Sequence, residues 1–247
     1  MQKKIRIGAV SYLNTKPLIY GFEQGLLKDE IELVTYYPAK LASLLQKNEI
    51  DVALLPVAAI NNINDANTFS DFCIGAKQDV ASVCLFSEVP IEEIQEIYLD
   101  YQSRTSVTLL RVLLKHYWQT RPILIEADEQ YISSIKDKKA GVIIGDRALE
   151  QLPNFPYVYD LAKAWQDYTQ LPFVFATWVT NQKLSDSFIE SFNKANQLGF
   201  AHLNEIIANN PFPSYDLKKY YSENIYYSFD EEMKKGMTMF LKLAEQL

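Results

Sequence analysis

The stretch from residue 5 to residue 24 commits this chain to an α/β fold. Residues 5–10 are apolar and strand-like, with Ile5 and Ile7 alternating with Arg6 and Gly8. The polar run Ser11-Tyr12-Leu13-Asn14-Thr15-Lys16-Pro17 follows, and residues 18–24 carry a short helical pattern. Proline suits the first turn of a helix, whose N–H groups have no intrahelical acceptor. Asn14 or Thr15 is expected to cap that helix. A strand that runs through a polar turn into a helix N-terminus is how α/β proteins build sites for small anions.

The same order recurs downstream. Residues 31–36 read as a second strand, and Pro38 opens a helix with Leu41, Leu44 and Leu45 on one face. Asp51-Val52-Ala53-Leu54-Leu55-Pro56 is a short apolar run of the kind buried in a parallel sheet. This βαβαβ order implies parallel strands joined by right-handed crossovers. Residues 74–76 and 80–86 read as further strands. A second α/β unit follows: strand at 97–99, polar turn at 100–104, helix over 105–117, strand at 123–126, helix near 132–136. Its last strand, 141–144, ends in Gly145-Asp146-Arg147. Residues 171–179 form an aromatic-rich extended run, and the chain from 184 onward is helical, with stripes such as Phe188, Phe192, Ala195 and Gly199 packing a core. The pattern predicts two lobes, residues 1–86 with 176–247 in one and 87–175 in the other. The cleft between them is the expected ligand site.

Composition narrows the partners. A net charge of −7 with no basic stripe argues against nucleic acid. A small anion remains a fit, because the local field of a pocket outweighs the sum over the surface. The basic start Met1-Gln2-Lys3-Lys4 precedes too short an apolar stretch for a secretory signal, and no stretch has the length of a membrane span, so the expected location is the cytoplasm. Cys73 and Cys84 are expected as buried free thiols. His116 and His202 lie on expected helices away from the polar turns, and no Ser-His-Asp arrangement can be read. No motif for a metal, a nucleotide or a nicotinamide cofactor is present. The oligomeric state is left open.

Four polar turns are candidates to face the cleft: residues 11–17, Ser82, Ser103-Arg104-Thr105-Ser106 and Gly145-Asp146-Arg147. Serine and threonine at a helix start are first of all caps. The same groups suit a carboxylate, since hydroxyls, free amides and the helix dipole converge there. Asp146 reads either as a local partner for the amides after it or as a residue that orients Arg147 or a ligand hydroxyl. Arg104 and Arg147 read as solvated charges or as ligand contacts.

Six blocks in order resemble one family. They are Ser11-Tyr12-Leu13-Asn14-Thr15-Lys16-Pro17-Leu18, Ile50-Asp51-Val52-Ala53-Leu54, Ser82-Val83, Ser103-Arg104-Thr105-Ser106-Val107, Gly145-Asp146-Arg147-Ala148-Leu149 and Leu171-Pro172-Phe173-Val174-Phe175-Ala176. Together they resemble chorismate dehydratase of the futalosine route to menaquinone, over residues 5 to 180 with a compatible helical tail. The resemblance implies the two-lobed fold of type II periplasmic binding proteins. It implies a cofactor-independent hydro-lyase that takes dianionic chorismate to 3-((1-carboxyvinyl)oxy)benzoate and water.

What the resemblance implies for the residues follows from that reaction. Asn14 and Ser82 are the expected catalytic residues, Asn14 to fix the pose and Ser82 to donate to the substrate or help the leaving hydroxyl. Ser11, Tyr12, Thr15, Ser103, Arg104, Thr105, Ser106, Asp146 and Arg147 are the expected substrate-binding residues. None of these motifs holds an obvious general base, so the enolpyruvyl carboxylate of the substrate is expected to take the proton, with Asp146 in reserve. The competing readings are a solute-binding protein without chemistry, the related 1,4-dihydroxy-6-naphthoate synthase, and a ligand-sensing domain.

Overall fold

The computed structural model describes residues 4–247. Met1, Gln2 and Lys3, part of the start that reads as lacking a secretory signal, lie outside them. The chain opens with β1 (Ile5–Ala9), a 3-10 turn (Leu13–Thr15) and α1 (Lys16–Glu23). β2 (Ile31–Thr35), α2 (Pro38–Gln46) and β3 (Val52–Pro56) complete the first unit. β1 pairs in parallel with both β2 and β3, as the βαβαβ order predicts. β4 (Asn67–Ala76) then runs along the same sheet.

The second unit holds β5 (Val83–Ser87), β6 (Glu96–Leu99), α3 (Arg104–Leu113), β7 (Ile123–Glu126), β8 (Lys139–Ile144), α4 (Asp146–Gln151) and β9 (Tyr157–Asp160). α5 (Leu161–Thr169) leads back to β10 (Phe173–Thr180) in the first sheet. The tail contributes α6 (Asp186–Ala201), α7 (Leu203–Asn209), the single turn α8 (Leu217–Lys219), β11 (Tyr226–Ser228) and α9 (Glu231–Ala244). One sheet has the order β11-β4-β10-β3-β1-β2 and the other β7-β6-β8-β5-β9.

Strand pairing moves the expected crossing points. Residues 83–86 belong to the second sheet and residues 173–175 to the first. The chain therefore passes between sheets in residues 77–82 and 161–172 rather than at 86 and 176. The reason is local: the chain bends at Lys77 and Gln78 and again at Ala81 and Ser82, and Ala81 takes a left-handed φ of 61° that ends extended pairing there.

The expected cap at α1 also differs. Thr15 occupies the cap position but is already helical in φ and ψ, and its side chain makes no capping bond. The 3-10 turn runs straight into α1, so a capping oxygen has no room to fold back. α1 packs closely on α6, where a Cβ on Gly199 would lie 1.9 Å from the Pro17 carbonyl oxygen. That approach fixes the polar turn 11–17 against the tail. Cys73 and Cys84 are buried and free, as expected. Among the described residues, no helix is long and apolar enough to cross a membrane.

Candidate active site

A cleft enclosing about 610 Å³, its open mouth included, lies between the two sheets. Its polar lining is Tyr12, Asn14, Ser82, Gln102, Ser103 and Ser106. Its apolar walls include Leu54, Ile74, Ile144 and Phe175. That mixture of apolar walls with a few separate polar groups suits one small molecule.

Each polar residue reaches the cleft from the end of a strand. β1 delivers Tyr12 and Asn14 through the turn after it. β6 delivers Gln102, Ser103 and Ser106 at the N-terminus of α3. The crossing from β4 to β5 delivers Ser82, and Gly145 after β8 closes the floor. Gly145 has φ +64° and its amide donates to the Ser82 carbonyl at 2.8 Å. A side chain at that conformation would be strained by its φ alone, since a Cβ would meet the Tyr12 ring at an ordinary 3.6 Å.

The α3 end gathers hydroxyls and free amides at the cleft. Ser103 Oγ accepts from the Ser106 amide at 3.1 Å and donates to Ser106 Oγ at 2.8 Å. With its acceptor filled by Ser103, the Ser106 hydroxyl keeps its own hydrogen for the cleft. The Arg104 and Thr105 amides precede the first intrahelical acceptor, and the positive end of the helix dipole lies here.

Two contacts bridge the lobes across the cleft. The Tyr12 hydroxyl donates to Gln102 Oε1 at 3.0 Å, and the Leu13 amide donates to Asp146 Oδ1 at 3.3 Å. Burial, reinforced by the Asp100 charge, pushes the Tyr12 phenol up to about 12, so it stays a donor. Burial also raises the Asp146 carboxyl above its usual range, opposed by the Leu13 amide. Asp146 thus ties α4 of one lobe to the turn after β1 of the other.

Several expected binding residues do other work. Ser11 is exposed and lines a neighbouring pocket with Tyr36, Tyr37 and Tyr101. Thr15 is fully buried, its hydroxyl near Asn14 Oδ1 at 3.4 Å. Thr105 Oγ1 accepts from the Ala58 amide at 3.2 Å, joining the lobes away from the lining. Arg104 is exposed and lines a neighbouring groove. Arg147 is spent in an ion pair with the fully buried Asp100 carboxylate, at 2.7 Å, and lies over the Tyr101 ring. Among the described residues, no cationic side chain lines the cleft.

The model for the menaquinone biosynthesis family matches residues 5–246. This chain belongs to the menaquinone biosynthesis family. Its relatives by sequence include a chorismate dehydratase of Thermus thermophilus, 24% identical over 95% of this chain and 93% of that protein. Another is a chorismate dehydratase of Campylobacter jejuni, 27% identical over 97% of each. By structure it is similar to the Candida albicans CA3427 gene product, described as having the generic periplasmic binding protein fold. That likeness has a TM-score of 0.62 at 16% identity, over 99% of this chain and 91% of the other. The two-lobed periplasmic-binding-protein-like fold is the expected one.

In this member of the menaquinone biosynthesis family, sequence reasoning brought Tyr12, Asn14, Ser82, Ser103 and Ser106 to one cleft and missed three neighbours. Gln102 went unread because a glutamine in a turn carries no chemical signal of its own. Tyr220 and Tyr227 come from the tail, where the Tyr220 hydroxyl donates to Ser82 Oγ at 2.8 Å and the Tyr227 hydroxyl to the Asn14 carbonyl at 2.9 Å. A π-type turn over Tyr220–Asn224 and the three-residue β11 hold them. Neither element has enough length to show a period in sequence.

Proposed function

We propose that the chain is a chorismate dehydratase, a carbon–oxygen lyase that removes water from chorismate to give 3-((1-carboxyvinyl)oxy)benzoate. The reading rests on one observation above all. Asn14, Ser82, Ser103 and Ser106 come from three separate stretches of sequence and line one cleft. Near end-to-end similarity to two proteins named chorismate dehydratase supports the substrate.

The reaction takes a proton from ring carbon C3 and hydroxide from C4, and the ring becomes aromatic. Aromatisation supplies the driving force, and the net change is not a redox one. Chorismate therefore needs no electron carrier to react. The C3–H bond is conjugated through a ring double bond to the ring carboxylate, so charge left by deprotonation spreads onto that group. Ser103, Ser106 and the first amides of α3 meet the carboxylate there and bind more strongly as the charge grows. Asn14 holds the pose from the opposite lobe, and Ser82 faces the C4 hydroxyl. Leu54, Ile74, Ile144 and Phe175 enclose the ring and exclude water.

The absence of a cation from the lining has a chemical use. The enolpyruvyl carboxylate is met only by neutral donors in a largely apolar cleft. A carboxylate so placed is a stronger base than one paired with arginine. Held near C3, it takes the proton from its own ring, and catalysis then rests on positioning and closure.

The test is direct. Purified protein is mixed with chorismate in the presence of a chelator and without added cofactor, and the products are weighed by mass spectrometry. The expected result is a species lighter by one water. Chorismate that binds and is recovered unchanged would favour a solute-binding protein and overturn the assignment.

A further inference from the structure

Tyr220 reaches from the tail into the crossing between the lobes, 138 positions from its partner Ser82. It is fully buried. Burial pushes its phenol far above the ordinary value, with the Ser82 and Asn14 side chains opposing the shift. It is therefore neutral at physiological pH, with a single O–H to give, and that hydrogen goes to Ser82 Oγ at 2.8 Å. Tyr220 is the one side chain hydrogen-bonded to Ser82 Oγ among the described residues.

The Ser82 backbone is pinned as well. Its amide donates to the Val80 carbonyl at 2.7 Å, and its carbonyl accepts from the Gly145 amide at 2.8 Å. Next to it, Ala81 is held in its left-handed conformation by the hydrogen bond that its amide donates to Asp160 Oδ2 at 2.7 Å. A serine fixed in this way, with one lone pair filled, has few orientations left for its own hydrogen. The cleft that it lines offers the free direction.

We propose that Tyr220 is a positioning residue for the dehydration, holding Ser82 as the hydrogen-bond donor to the departing C4 hydroxyl; this rests on the chorismate reading above. In the step, the C3–H bond breaks and its proton passes to the enolpyruvyl carboxylate. The C4–O bond breaks with both electrons on oxygen. That oxygen, held by the Ser82 hydrogen, takes the proton from the enolpyruvyl acid and leaves as water. Ser82 and Tyr220 end as they began, both protonated.

The experiment is a double-mutant cycle on chorismate turnover with Tyr220→Phe, Ser82→Ala and the pair. Loss of one hydrogen bond that acts in the transition state predicts a fall in kcat of about tenfold in Tyr220→Phe, with KM little changed. Because Tyr220 acts through Ser82, the pair is expected to be no slower than Ser82→Ala alone. A phenol that only packs the tail would instead give additive losses, or none, and either result overturns the proposal. If Tyr220→Phe does not fold, Ser82→Ala decides: wild-type kcat in that variant removes the donor that Tyr220 is said to hold. Failure of the wild-type protein to dehydrate chorismate overturns the reaction itself and the proposal with it.

Discussion

The arginines show what a single residue type does and does not reveal. A guanidinium beside a polar turn reads as an anion contact, yet Arg147 neutralises Asp100, whose carboxylate is fully buried. Burial raises the Asp100 carboxyl, and Arg147 and the Gln102 amide oppose that rise. Breaking such a pair would strand a buried charge, so it is committed to structure. Under the proposed function, recognition of the substrate carboxylates falls to neutral hydroxyls and amides. Ser106 is the sharpest test at this scale, because Ser103 caps α3 without it. Ser106→Ala is expected to keep the fold and lower kcat/KM by roughly 10- to 100-fold, the worth of one hydrogen bond to a charged group. Steady-state kinetics on chorismate checks this, and unchanged kinetics would move the ring carboxylate elsewhere in the cleft.

Between elements, two carboxylates do different jobs at the lobe junction. Asp146 acts as a latch on the Leu13 amide. Asp146→Asn keeps an acceptor there and is expected to turn over within a few-fold of wild type. Asp146→Ala loses it and is expected to raise KM about tenfold. If Asp146→Asn instead abolishes turnover while still binding ligand, Asp146 is the acid–base group and the substrate is not its own base. Asp160 caps α5 through the Ala162 and Lys163 amides and also takes the Ala81 amide, so it ties one crossing between the lobes to the other. Burial pushes its carboxyl up to about 6 despite those amides. A carboxyl raised on folding binds more protons in the folded state, so its contribution to stability falls as pH rises from about 4 to about 6. Thermal melts are expected to show wild type losing ground to Asp160→Asn across that window, by about 2–4 °C for each kcal/mol in a chain of this size. A constant difference would contradict the assignment.

The elements that line the cleft were legible where local rules govern them. Strand, polar turn and helix follow from Ile5, Ile7 and Pro17, and Ser103 caps α3 as its position suggests. What escaped was set by distant contacts. β9, α5 and β11 are short and break no pattern, and Ala81 adopts positive φ because Asp160 and Gly145 hold its surroundings, which no local signal announces.

At the scale of the molecule, a chain of net charge −7 is proposed to take a dianion without a cation in its cleft. Binding a dianion there requires closure to do what charge does not. Tyr12 on Gln102 and Asp146 on Leu13 draw the lobes together, and the apolar walls then strengthen every donor that remains. The C-terminal tail completes this arrangement, since Tyr227 and Tyr220 fasten Asn14 and Ser82 from behind. Fold likeness to binding proteins speaks to the architecture and not to the chemistry. The measurement that reaches the chemistry is turnover of chorismate deuterated at C3, followed in a single turnover. The account predicts slower formation of 3-((1-carboxyvinyl)oxy)benzoate than from the unlabelled substrate, with the deuterium lost from the ring and recovered in water. A product that retains the label, or labelled chorismate returned intact from the cleft, would contradict it.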